Sequence, residues 1–82
     1  MNYYNNKTFA KEISKRTGVD FPVQAIYRWR KKKLITPNGF MANGKRSIPV
    51  WSESDVVQVM GMIKVMQANG TLKTALRVYV ES

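Results

Sequence analysis

The side chains able to do chemistry are concentrated in one short stretch, QAIYRWRKKK at positions 24–33. Five cations fall in the six positions 28–33, interrupted only by Trp29. If this stretch is helical, Gln24, Tyr27, Arg28 and Lys31 are spaced i, i+3, i+4, i+7 and share one face. All four form hydrogen bonds, and two are cationic. Ala25, Ile26 and Trp29 fall on the adjoining face, with only carbon surface and one indole N–H. One side therefore suits a core and the other suits an anionic surface rich in hydrogen-bonding edges. The major groove of DNA is such a surface. Arg28 can pair with guanine O6/N7 or with a phosphate, and Gln24 with adenine N6/N7. Tyr27 can donate to a phosphate or pack on a thymine methyl. Lys31, Lys32 and Lys33 suit non-specific backbone contacts, since lysine is a flexible point charge. A solvated helix end, with cations offsetting the dipole, accounts for one or two lysines. It does not account for five cations beside a Gln/Tyr/Arg face.

A second basic spot follows at Lys45 and Arg46, and arginine suits a narrow minor groove. These two read as further contacts, Arg46 more firmly than Lys45. The tryptophans read differently. Trp29 sits beside Ile26 and Ala25 and is expected in the core. Trp51 is expected to cover the space between the hairpin and the third helix.

Other chemistry is excluded by what the chain lacks. It contains no histidine and no cysteine, so the usual general base, zinc ligands, thiolates and disulfides are missing. The five acids are Glu12, Asp20, Glu53, Asp55 and Glu81, and two of them read as helix-start residues. No phosphate-loop pattern occurs. The chain is expected to be no enzyme, with no cofactor and no metal.

The elements that must position these residues can be read along the chain. Residues 1–6 are polar with two tyrosines and are expected to be loosely held. Phe9, Ala10 and Ile13 recur at helical spacing and Gly18 supplies an end, giving a first helix over about 8–17. Asp20 is expected to cap a second helix that begins near 21–22 and runs to about 32. Two helices joined by a short turn form a helix-turn-helix candidate. LITP and SIPVW read as strands, with NGFMANGKR between them as a hairpin loop longer than a two-residue turn. SESD is a capping box, with Ser52 and Asp55 opening a third helix over about 53–68. There Val56, Val59, Met60 and Ile63 form one stripe, and Gly61 would admit a close neighbouring backbone. Asn69-Gly70 stops it. Thr71 caps a short fourth helix with Leu72, Ala75, Leu76 and Tyr79 on one stripe. The expected fold is mainly α with a small β-hairpin, a winged helix-turn-helix of order α-α-β-β-α-α, spanning 1–82 as one domain.

Composition agrees with a basic-faced binder. The 82 residues carry 14 Lys+Arg against 5 Asp+Glu, a net charge of +9, which implies a polyanionic partner. The charge is lopsided: positions 1–35 hold nine cations and two acids, whereas 52–82 hold three of each. No basic start leads into an apolar run and no apolar stretch approaches the ~18 residues of a membrane span. A cytoplasmic location without membrane contact is the expectation.

These pieces together resemble a known family. TFAKEISKRTGV, AIYRWRKKKLITP, KRSIPVWSESDV and IKVMQANGTLKTAL are similar to the winged-helix DNA-binding domain of MerR-type regulators and the related phage and plasmid excisionases. The likeness covers about 8–77. It implies DNA-contacting roles for Tyr27 and Arg28 and a wing arginine at Arg46. Lys33 stands where that family often has glycine, and VDFPVQ is longer than its usual turn. MerR-type regulators continue into a long dimerising helix and an effector region, whereas this chain ends at Ser82, so a stand-alone regulator or architectural factor is the closer match.

The expected function is sequence-specific binding of double-stranded DNA, in transcription, excision or recombination, or plasmid or phage maintenance. Dimerisation or cooperative binding would supply affinity that one small domain lacks. The alternative is a protein-interaction adaptor that binds an acidic partner such as a recombinase or replication protein.

Overall fold

Helix ends explain much of the architecture. The computed structural model describes residues 3–76. The first helix, α1 (Asn6–Thr17), opens on a reciprocal capping box at Asn5. Thr8 N–H donates to Asn5 Oδ1 at 2.8 Å, and Asn5 N–H donates to Thr8 Oγ1 at 3.0 Å. This box starts α1 two residues ahead of the sequence expectation. Gly18, at φ 72°, closes it in the left-handed region.

The second helix, α2 (Val23–Lys31), begins after Pro22, which stands at the N-cap without a side-chain hydrogen bond. The expected Asp20 cap is therefore not used. Ser14 of α1 organises the turn instead. Its hydroxyl accepts from Phe21 N–H at 2.9 Å and lies 3.3 Å from Phe21 C=O as donor. The turn is thus held from the preceding helix, which frees α2 from needing its own cap.

At its other end α2 closes in a Schellman-type lock. Leu34 N–H donates to Trp29 C=O and Lys33 N–H to Arg30 C=O, both at 2.9 Å. The position that glycine normally takes is held by Lys33 at φ 62°. After this reversal LITP does not pair as a strand, contrary to expectation. Ile35 alone turns inward, 5% exposed.

The sheet is antiparallel, in the order β1-β3-β2, from β1 (Tyr3–Tyr4), β2 (Gly39–Asn43) and β3 (Arg46–Ser52). Most of the expected long loop is strand β2. Asn43 pairs with Arg46, leaving a two-residue turn of Gly44 and Lys45. Gly44 has φ 65° and Lys45 does not, the φ pattern of a type II′ turn, which wants glycine first. The segment expected to be loose adds a third strand: Tyr3 pairs with Ser52 and Tyr4 with Trp51. The order is therefore β-α-α-β-β-α-α.

Ser52 and Asp55 form the expected capping box for α3 (Glu53–Asn69). Val56, Val59 and Ile63 are buried, while Val57 and Val65 face solvent. Gly61 also faces open space, so no backbone of another described element approaches it. Gly70 ends α3 at φ 75°, and α4 (Leu72–Leu76) follows with Leu72 and Leu76 against the core. The Ala75 side chain and Tyr79, also expected on that stripe, lie outside the described residues.

The core joins α1, α2, β3 and α3 through Phe9, Ala10, Ile13, Ala25, Ile26, Trp29, Trp51, Val56, Val59 and Ile63, with Phe21 and Ile35 from the connecting segments. Two aromatic contacts organise it. Trp29 meets Phe21 edge-on at 5.1 Å, which fixes the rotation of α2. Trp51 stacks on Phe9 at 4.4 Å and donates its indole N–H to Asn6 Oδ1 at 2.6 Å. Its specific partners thus lie on α1, where a place between hairpin and third helix had been expected. No described helix is long and apolar enough to cross a membrane.

Candidate nucleic-acid interface

The rotation of α2 decides which of its side chains reach solvent. Ala25, Ile26 and Trp29 point inward, the last only 1% exposed. Gln24, Tyr27 and Lys31 consequently point outward, with Tyr27 54% exposed. Lys32 and Lys33 continue this exposed surface past the helix end.

Arg28 departs from the expected face. It lies at the edge of the exposed arc and is half-buried. Its Nε is buried and finds no hydrogen-bond partner among the described residues. At about 100° per residue, Arg28 sits roughly 70° round the helix from the centre of the Gln24/Tyr27/Lys31 group. That angle places its stem against the protein, a less mobile setting than a fully solvated arginine has.

Arg30 was missed by the sequence reading. Its guanidinium lies over the Phe40 ring at 5.7 Å, a cation–π contact that couples α2 to β2. The signal available was weak, because Phe40 was assigned to a loop. Once β2 is a strand, period-two alternation puts Phe40 on the same sheet face as Pro49 and Trp51, toward the helices.

Lys45 and Arg46 occupy the tip of the hairpin, both exposed. Lys45 is the second turn residue and Arg46 opens β3 opposite Asn43. By alternation Arg46 shares its sheet face with Ile48 and Val50, opposite to Trp51. The candidate contacts therefore form two groups, one along α2 and one at the hairpin tip, with Arg30 and Phe40 bracing the elements that carry them.

The acids explain why the basic side stays uncompensated. Arg16 Nε donates to Glu12 Oε2 at 2.6 Å, and its η nitrogens hold both oxygens of Glu53. Tyr4 donates to Glu53 Oε1 at 3.0 Å. The Arg16 hydrogen bond, followed by that from Tyr4, holds the Glu53 carboxyl below the usual carboxylate range. The same two carboxylates raise Arg16, Glu53 first and Glu12 second. Desolvation, then the hydrogen bond to Glu53, raises Tyr4. Asp55 is committed to the α3 cap, with its Oδ2 accepting from Ser52 N–H at 2.8 Å. Three of the five acids thus serve the fold on the α1–α3 side.

No protein-family model matches the chain, and no curated protein or solved structure matches it either.

Proposed function

We propose that this chain is a winged helix-turn-helix module that binds double-stranded DNA sequence-specifically, as a small regulator or architectural factor. One observation carries the reading: Trp29 is sunk in the core, so Gln24, Tyr27 and Lys31 face outward beside a run of cations. Gln24 and Arg28 supply base-edge hydrogen bonding, Tyr27 an amphipathic contact, and Lys31 and Lys32 phosphate contacts. Lys45 and Arg46 at the hairpin tip touch flanking backbone or minor groove. The likeness to MerR-type and excisionase domains supports the same assignment.

Selection from a randomised duplex pool tests it, followed by salt titration on the selected and a scrambled duplex. A recovered motif, preferred over the scrambled duplex and bound more weakly as salt rises, is the expected result. A pool that returns no motif would overturn the reading in favour of an adaptor for an acidic protein partner.

A further inference from the structure

We propose that the outer face of α1 is a second duplex-contacting surface, on which Lys7, Lys11 and Lys15 grip successive phosphates beside the segment that α2 reads. All three are exposed. Their i, i+4, i+8 spacing lines them up along the helix with a rise of about 6 Å per step. That step is comparable with the spacing of phosphates along one strand.

The folded chain gains nothing from this line. Like charges at i, i+4 repel, and the stripe contains two such pairs. Lys7 also sits in the first turn of α1, where the helix dipole disfavours a cation. Only Lys15, in the last turn, is favoured there. The one acid on α1 does not relieve the stripe, because Glu12 is drawn to Arg16 on the far side. A repeated anion outside the protein offsets all of these repulsions together.

The stripe also points the right way. At about 100° per residue it centres roughly 60° from Ser14, which binds the turn leading into α2, and roughly 120° from the Glu12–Arg16 edge that binds α3. It therefore leans toward the helix carrying Gln24, Tyr27 and Lys31 and away from the acids. A duplex lying along α2 is the occupant whose charge and continuity fit both helices.

This inference rests on the duplex-binding reading, and one set of titrations separates the two. Affinity for a long mixed-sequence duplex and for the selected duplex is measured against salt. The proteins compared are the wild-type chain, Lys7→Gln/Lys11→Gln/Lys15→Gln, and a control, Lys64→Gln/Lys73→Gln, with both lysines on α3 and α4. Three lost phosphate contacts should lower the magnitude of the log K against log salt slope by about 2.7. Preference between the two duplexes should persist, and Tm should stay level or rise as repulsion is relieved. The control should keep the wild-type slope. A triple variant with wild-type slope and affinity would overturn the α1 surface alone. A wild-type chain that binds phosphatidylserine vesicles but no duplex would overturn both readings.

Discussion

Lys33 holds a cation in a backbone position suited to glycine. The other two helix ends with this left-handed geometry carry Gly18 and Gly70. An L-residue there costs about 1–2 kcal/mol, so the chain keeps Lys33 against its own stability. Replacing it with glycine should raise stability by about 1 kcal/mol, read as a higher denaturant midpoint. If the ammonium grips a phosphate, the same variant should shorten the salt slope on duplex DNA by about 0.9. A more stable variant with an unchanged slope would remove Lys33 from the interface. Its neighbours on α2 separate in the same way. Trp29→Ala should cost about 3–5 kcal/mol, since that ring fills the centre of the core. Arg28→Ala should weaken duplex binding and leave Tm nearly unchanged, because its buried Nε has no partner among the described residues to lose. A large loss of Tm in Arg28→Ala would mean that its stem serves packing.

At the scale of elements, the helices and the strand at SIPVW were legible, whereas the partners of that strand were not. Phe9, Ala10 and Ile13 marked α1, and the Ser52–Asp55 box marked α3, because helical signals are local and repeat within a turn. The strand expected at LITP failed because β pairing depends on a partner that sequence does not reveal. Leu34 follows the Lys33 reversal directly, and the chain reaches β3 only at Gly39, opposite Val50. The tight turn at Gly44 then sets the register of the whole hairpin. A Cβ at Gly44 would have space, yet its φ of 65° would strain any L side chain. Gly44→Ala should therefore destabilise the hairpin by about 1–2 kcal/mol. Proton exchange at the β2 amides should accelerate, while the buried amides of α1 should exchange at wild-type rates. Uniform acceleration throughout the chain would show that hairpin and helices open as one unit.

Across the whole molecule, charge is segregated. Arg16 clasps Glu12 and Glu53, and Tyr4 closes on the same carboxylate, so β1, α1 and α3 meet at one ionic cluster. The Glu53 carboxyl is lower in the folded chain than in the unfolded one. Its stabilisation is thus present above the ordinary carboxylate value and lost as pH falls through the lowered folded value. Wild-type Tm should exceed that of Glu53→Gln at neutral pH, and the gap should close on acidification below the usual glutamate range. A gap that persists in strong acid would show that the cluster acts by packing. Among the described residues the remaining basic surface has no comparable ionic cluster, and a net charge of +9 places the chain under self-repulsion.

Sequence alone determined the helical segments, the inward set of Ala25, Ile26 and Trp29, and the excess of positive charge. Each depends on local periodicity or on simple counting. Tertiary structure decided what requires distant partners: the Tyr3–Tyr4 strand on β3, the register of the hairpin, the Arg30–Phe40 brace and the half-burial of Arg28. It also decided which cations are already paired, because Arg16 is neutralised by a glutamate 37 positions away. Coulombic and hydrogen-bond partners are set by proximity in space, and that proximity exists only once the core has closed.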